Sequence, residues 1–309
     1  MQNVFKTTVL MVNVQTNSIR AWILAARPKT LSGAIVPVII GASLAYLHDS
    51  FQLIPTLICI AFAGLMQIAA NFINDLYDYL KGTDRKEDRL GPDRACTQGW
   101  ITPNAMKKGI AVVIIIACAI GSTLIYYGGW TLILIGILCV IFAFAYTTGP
   151  YPLSYHGYGD ILVLLFFGFV PVGGTYYVQA LDWNMDVTMA SIVCGLIIDT
   201  LLVVNNYRDY IADFRSGKKT LIVRFGKDFG AYLYLGLGLV ASVISLTFVY
   251  KGYIFAGILP QFYLIPHIKT YAEMKKIYEG KKLNLILGKT SQNILLMGFL
   301  LSLGFILSR

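Results

Sequence analysis

Residues 187–219 read VTMASIVCGLIIDTLLVVNNYRDYIADFRSGKK, and this stretch decides the class of fold. Its first part, 187–206, is apolar and long enough to cross a bilayer, which takes about 20 helical residues. The run passes directly into Asn205, Asp209 and Asp213, which are four residues apart and so share one helical stripe. Lys218 and Lys219 follow just after Gly217. A carboxylate costs about 2.5–3.5 kcal/mol at the centre of a span and less near its end. Such a stripe persists where it faces a cavity or holds a cation.

The rest of the chain repeats the theme. Of its 309 residues, 57% are hydrophobic and 13% charged, whereas a soluble domain carries about a quarter charged residues. An ordinary soluble enzyme is excluded. Apolar runs fall at about 31–47, 54–76, 109–127, 130–147, 161–181, 187–206, 229–250, 253–267 and 290–308. They predict an all-α polytopic bundle of nine transmembrane helices, forming one domain over 1–309. With the N-terminus inside, the inner segments hold 23 of the 25 Lys and Arg residues, and only Lys251 and Arg309 lie outside. Cytoplasmic loops collect such charge, so the N-terminus is expected in the cytoplasm and the protein in the cytoplasmic (inner) membrane. The net charge of +9 is then loop charge and gives no nucleic-acid footprint. The five cysteines form no metal-binding or disulfide pattern. Residues 1–20 are expected to be a loose tail without a signal-peptide core, and Met11 is an alternative start.

A second stripe lies on the second apolar run. Gln67, Asn71, Asp75 and Asp78 are spaced i, i+4, i+8, i+11, and Lys81, Gly82, Asp84 and Arg85 follow. Asn71-xxx-Asp75 and Asn205-xxx-Asp209 occupy the same place in two four-helix groups, about 31–147 and 161–267. That is a weak parallel repeat, to which 290–308 adds a ninth helix. Two acidic stripes at one membrane face can hold Mg²⁺, which prefers few carboxylates, several waters and substrate phosphates. Lys81, Arg85, Arg94, Arg208, Lys218, Lys219 and Arg224 are available for the remaining phosphate oxygens. Such an array stabilises a departing diphosphate. A substrate held half in lipid and half in this basic mouth would be a lipid diphosphate. Asp199, ten residues before Asp209 and inside the span, is either a functional carboxylate or a buried structural one. The segment from Tyr146 to Asp160 is rich in Tyr, Gly and Pro, and suits either an aromatic ligand or a rigid interfacial loop.

These residues resemble the UbiA superfamily of intramembrane prenyltransferases, and within it the branch that acts on 1,4-dihydroxy-2-naphthoate. The likeness runs from Arg27-Pro-Lys-Thr-Leu31 through Asn71–Asp84, Gln98-Gly-Trp-Ile-Thr-Pro103, Tyr146–Asp160 and Gly174-Thr-Tyr-Tyr177. It ends with Asn205-Asn-Tyr-Arg-Asp209 and Gly217-Lys-Lys-Thr-Leu-Ile-Val-Arg-Phe-Gly226, its most specific part. Two positions depart from the wider superfamily: Gly82 stands where the last Asp of the first motif is common, and Pro150 where a Lys is common after Tyr146.

The resemblance implies transfer of a polyprenyl chain from polyprenyl diphosphate to 1,4-dihydroxy-2-naphthoate, with Mg²⁺ as cofactor and loss of CO₂ and pyrophosphate, giving demethylmenaquinone. It implies Asp75, Asp78, Asp209 and Asp213 as catalytic metal ligands. Asn71, Lys81, Arg94, Tyr146, Asn205, Arg208 and Lys218 would bind substrate. The alternatives are a related enzyme with another acceptor, such as 4-hydroxybenzoate or haem, and an ion-coupled transporter. Transporter sites lie nearer the bilayer midplane than these stripes do.

Overall fold

In a computed structural model, which describes residues 14–83 and 89–309, the chain is helical throughout its apolar runs. The first rod is bent by 48°. Helix α1 (Ile19–Ala26) ends at Arg27 in the left-handed region (φ 51°), and a 3-10 turn, Pro28–Thr30, leads into α2 (Ser32–Leu47). Next come α3 (Leu53–Leu80), the single turn α4 (Ala95–Gln98), and α5 (Pro103–Ser122) continued by α6 (Ile125–Gly128). Helix α7 (Thr131–Ala145) follows. Then α8 (Gly159–Val163), a segment of wider π winding (Leu164–Gly173) and α9 (Gly174–Ala180) form one rod. The second half comprises α10 (Met185–Arg208), α11 (Tyr210–Arg215), α12 (Leu221–Phe225), α13 (Lys227–Ser245) and α14 (Thr247–Tyr250). It closes with α15 (Ile254–Ile258), a 3-10 stretch (Leu259–Tyr263), α16 (Leu264–Ile277) and α17 (Leu283–Leu307).

Among the described residues, six helices are long and apolar enough to span a membrane, or seven with the bent first rod counted as one span. The expected nine is not reached by that measure. Helix α7 has 15 residues, about 23 Å at 1.5 Å per residue, against a hydrocarbon layer of about 30 Å. The stretch from α15 to α16 is broken by its 3-10 segment, and its last turns carry Lys269, Glu273, Lys275 and Lys276. The loose-tail expectation also needs correction from residue 14 onward. Val14 is buried against the α3–α5 cluster, Asn17 N–H donates to the Trp100 carbonyl at 2.7 Å, and Ser18 caps α1.

Helix α10 is the hub. Its most apolar window is 67% buried, against 22% for α3 and 17% for α5, so α3 and α5 turn their faces to lipid and to the cavity. The main core packs α10 against α2, the 159–180 rod, α13 and α17. Without a hydrophobic drive between helices in lipid, close approach of small residues supplies the packing. An added Cβ on Gly168 would stand 2.5 Å from the Ser191 carbonyl oxygen, and one on Gly304 2.5 Å from the Ala256 Cα.

Polar groups collect at two opposite ends. At one end His48 meets Tyr176 (2.8 Å), Asp186 pairs with Lys251 (2.5 Å), and Gln52 is held by Gln179. The opposite end gathers Arg27–Thr30, the 89–102 loop, the 146–158 loop and the 208–226 segment. Because the α15–α17 contact is backbone to backbone, Gly304→Ala is expected to destabilise the protein by about 1–3 kcal/mol. A thermal melt in detergent would show a lowered Tm, and an unchanged one would refute the close contact.

Candidate active site

A cavity of about 1400 Å³ opens at this second end and runs down between α1, α3, α5, α7, the 159–180 rod and α10. Its walls are mostly apolar, and its mouth is where the two acidic stripes meet. Each of the carboxylates Asp78, Asp209 and Asp213 there has a cation beside it. Arg94 Nη2 lies 2.9 Å from Asp78 Oδ2, and Lys218 Nζ lies 3.6 Å from Asp213 Oδ1. Arg208 forks onto Asp209, with Nε at 2.8 Å from Oδ1 and Nη2 at 2.6 Å from Oδ2. The third Arg208 nitrogen, Nη1, reaches Asn284 Oδ1 at 3.0 Å at the start of α17, and Asn284 in turn donates to the Leu90 carbonyl at 2.7 Å. The 89–94 loop therefore lies across Arg208, and a Cβ on Gly91 would come 2.8 Å from its Nη2.

The pairs influence one another. Burial raises the Asp213 carboxyl to about 6; Lys218 pulls it down, while Asp209 and Asp78 push it up. Burial lowers the Lys218 ammonium, but Asp78 and Asp213 more than offset this and hold it above the usual lysine value. Lys218 and Lys81 also sit on the Tyr155 ring, at 4.9 and 4.7 Å from its centre. Tyr155 thus ties the 146–158 loop to both stripes, and the Lys219 N–H bonds its carbonyl at 2.7 Å.

Of the residues expected from sequence, Asp78, Arg94, Tyr146, Asn205, Arg208, Asp209, Asp213 and Lys218 all line the cavity. Three are used differently. Asp75 is fully buried, and its two oxygens accept the backbone N–H groups of Ala95 (2.8 Å) and Cys96 (2.9 Å). It caps α4 and so holds the loop that carries Arg94, and it does not line the cavity. Asn71 borders the cavity, but its amide donates to the Ala26 carbonyl (3.0 Å) and to Thr30 Oγ1 (2.9 Å), fixing the bend of the first rod. Lys81 is turned to the Thr147 carbonyl at 2.5 Å, away from the cavity lining. Asp84 and Arg85 lie outside the described residues. The stripe pattern passed over Asn74, which lines the cavity and accepts a hydrogen bond from the Thr147 hydroxyl, and Arg27 and Asp160, which also line it. The signal for Asn74 was its place directly before Asp75. Arg27 and Asp160 stood only inside the stretches 27–31 and 146–160 that carry the family likeness.

No three His, Cys, Asp or Glu side chains cluster closely enough to hold a metal by themselves among the described residues. The donor set nonetheless suits Mg²⁺, which takes few protein carboxylates and fills its shell with water and phosphate. Asp78 Oδ1 is buried without a hydrogen-bond partner, and Asp213 stands close enough to feel its charge.

An apolar cavity with a mouth of opposed acids and bases, set among helices of membrane-spanning length, defines a membrane protein with an internal amphipathic site. The chain belongs to the UbiA prenyltransferase family, whose model matches residues 34–282. It is 36% identical over 243 residues to the 1,4-dihydroxy-2-naphthoate octaprenyltransferase of Escherichia coli (strain K12), covering 77% of this chain and 78% of that one. It is 34% identical to the enzyme of the same name from Haemophilus influenzae, over 94% of this chain and 96% of that one. A UbiA homologue from Archaeoglobus fulgidus solved with GPP and Mg²⁺ shares the fold, with a TM-score of 0.67 over 93% of this chain and 99% of that one, at 15% identity.

The capping role of Asp75 has a direct test. Asp75→Asn leaves one buried backbone donor unmatched, at a cost of about 1–3 kcal/mol. It is expected to lower Tm and speed hydrogen exchange at Ala95 and Cys96, whereas Asp78→Asn leaves exchange there unchanged. Equal protection at those two amides in both variants would remove the capping role.

Proposed function

We propose that the protein transfers a polyprenyl chain from its diphosphate to 1,4-dihydroxy-2-naphthoate, with loss of CO₂ and pyrophosphate, on the way to menaquinone. The observation that carries this reading is the joining of an apolar cavity to a mouth of three acid–base pairs: Asp78–Arg94, Asp213–Lys218 and Asp209–Arg208. The names of the E. coli and H. influenzae relatives support the acceptor, and the Mg²⁺ beside GPP in the archaeal homologue supports the metal. The charge asymmetry of the loops supports a cytoplasmic N-terminus in the cytoplasmic membrane, with α7 and the α15–α16 stretch completing nine passes.

In this reading Asp78, Asp209 and Asp213 hold Mg²⁺. A metal ion held there would supply charge neutralisation for the diphosphate and its leaving oxygen. Arg94, Arg208 and Lys218 already stand beside those carboxylates, so a diphosphate entering the mouth exchanges one set of charge partners for another and is never left unpaired. The fixed cations face charge that grows as the C–O bond breaks, which is where prearranged donors act most strongly. The apolar walls keep water from the allylic cation until the aromatic ring reaches it.

Purified protein with a long-chain prenyl diphosphate and Mg²⁺ is expected to release pyrophosphate only when 1,4-dihydroxy-2-naphthoate is present. Release with another phenolic acid alone would transfer the reading to that acceptor. Asp78→Ala and Asp213→Ala are each expected to lower kcat at least about 100-fold in protein that still folds, and to lower Tm as well, because Arg94 or Lys218 loses its carboxylate. Chelation should abolish turnover, and added Mg²⁺ should restore it; activity that survives chelation would overturn the metal assignment.

A further inference from the structure

Below the paired mouth the cavity holds a second polar group that the metal reading does not use. Tyr146, at the end of α7, and Asp160, in the first turn of α8, both line the cavity. Among the described residues the Tyr146 hydroxyl has no hydrogen-bond partner, and the Asp160 carboxylate has only its own backbone N–H. Asp199 on α10 is 5% exposed, its Oδ1 is buried with no partner, and its carboxyl interacts with that of Asp160. Tyr146 is within electrostatic reach of Asp160 and Asp199 and also of Asp78 and Asp213.

A buried carboxyl without a partner is expensive in lipid and marks a functional position. Ion pairing does not account for this one, since no Lys or Arg pairs with Asp160 or Asp199 among the described residues. The two carboxyls differ in setting. Asp160 lies at a helix N-terminus, where negative charge is favoured, and it faces the cavity. Asp199 lies mid-span, behind it.

Building on the reading of the site as a prenyltransferase with a hydroxyaryl acid as acceptor, we propose that Asp160 is the base that takes and returns the acceptor's hydroxyl proton. Tyr146 bonds the same ring, and Asp199 is a proton-bearing positioning residue behind Asp160. The balance requires a group that does both. The O–H proton passes to the Asp160 carboxylate, and the freed electron pair drives the ring carbon that carries the carboxylate to form a bond with the prenyl carbon. The prenyl C–O bond breaks with its electrons leaving on the diphosphate. The ring's C–CO₂ bond then breaks, CO₂ departs, its electron pair restores the aromatic ring, and Asp160 gives the proton back to oxygen. No proton is consumed overall, so a base that lost its proton to water would have to be reloaded at every turnover. A carboxyl pair walled off by lipid-facing helices avoids this.

Asp160→Asn is expected to lower kcat with 1,4-dihydroxy-2-naphthoate by about 10²–10⁴-fold, the span of general-base catalysis. The loss should shrink steadily with naphthoates whose hydroxyl is made more acidic by electron-withdrawing substituents, because those need less help from a base. Asp199→Asn should give a smaller loss with the same dependence on acceptor acidity, and Asp160→Glu should recover part of the rate. Melting curves of each variant show whether the protein is folded. An unchanged rate in Asp160→Asn, or a loss equal for acceptors of every acidity, would overturn the base role while leaving the prenyltransferase reading intact. A wild-type protein with no turnover of any hydroxyaryl acid would overturn both.

Discussion

The structure depends on one constraint: a carboxylate at the membrane end of a helix needs a partner, and here each finds a cation in the segment that follows it or in the residue beside it. Asp78 on α3 takes Arg94 from the following loop, Asp213 takes Lys218 from beyond α11, and Asp209 takes two nitrogens of the neighbouring Arg208. Arg208 extends the link to Asn284 and so to the start of α17. Exposed pairs of this kind are worth little, but these are largely buried, and removing one member leaves the other charge stranded. The same pairs that close the mouth are therefore the groups an anionic ligand must engage.

Around them, other polar side chains fix backbone. Asp75 pins Ala95 and Cys96, Asn71 pins Ala26 and Thr30, and Tyr155 carries Lys81 and Lys218 on its ring. A site assembled from loops gains precision only if the loops are tied down, and each tie here starts from a rigid helix.

Much of this was legible in the sequence because hydropathy and four-residue spacing are local. The apolar runs, the two stripes and the basic loops between them were readable from length and composition alone. Which way each stripe residue turns was not. Asp75 and Asp78 are three residues apart on one helix face, yet one faces the returning 89–96 loop and the other the cavity, and nothing in the spacing says where that loop lies. The partners of Asn71 were hidden for the same reason, since they belong to a bend set by Arg27. Not every apolar run is a full-length span, because apolar composition hides length and breaks, as in the 15 residues of α7 and the 3-10 stretch after α15. Asp160 escaped because a single carboxylate beside a Tyr- and Gly-rich loop has no period to reveal it.

The polar cluster at the far end of the bundle has a consequence for the cell's energy supply. His48, Tyr176, Asp186 and Lys251 satisfy one another there, and Val38, Cys59, Leu124 and Val178 pack beneath as an apolar floor to the cavity. A wet cavity open at both faces would let protons run down the membrane potential, each worth about 2.3 kcal/mol per 100 mV. With that floor shut, a deep, charged reaction chamber sits in the bilayer without short-circuiting it.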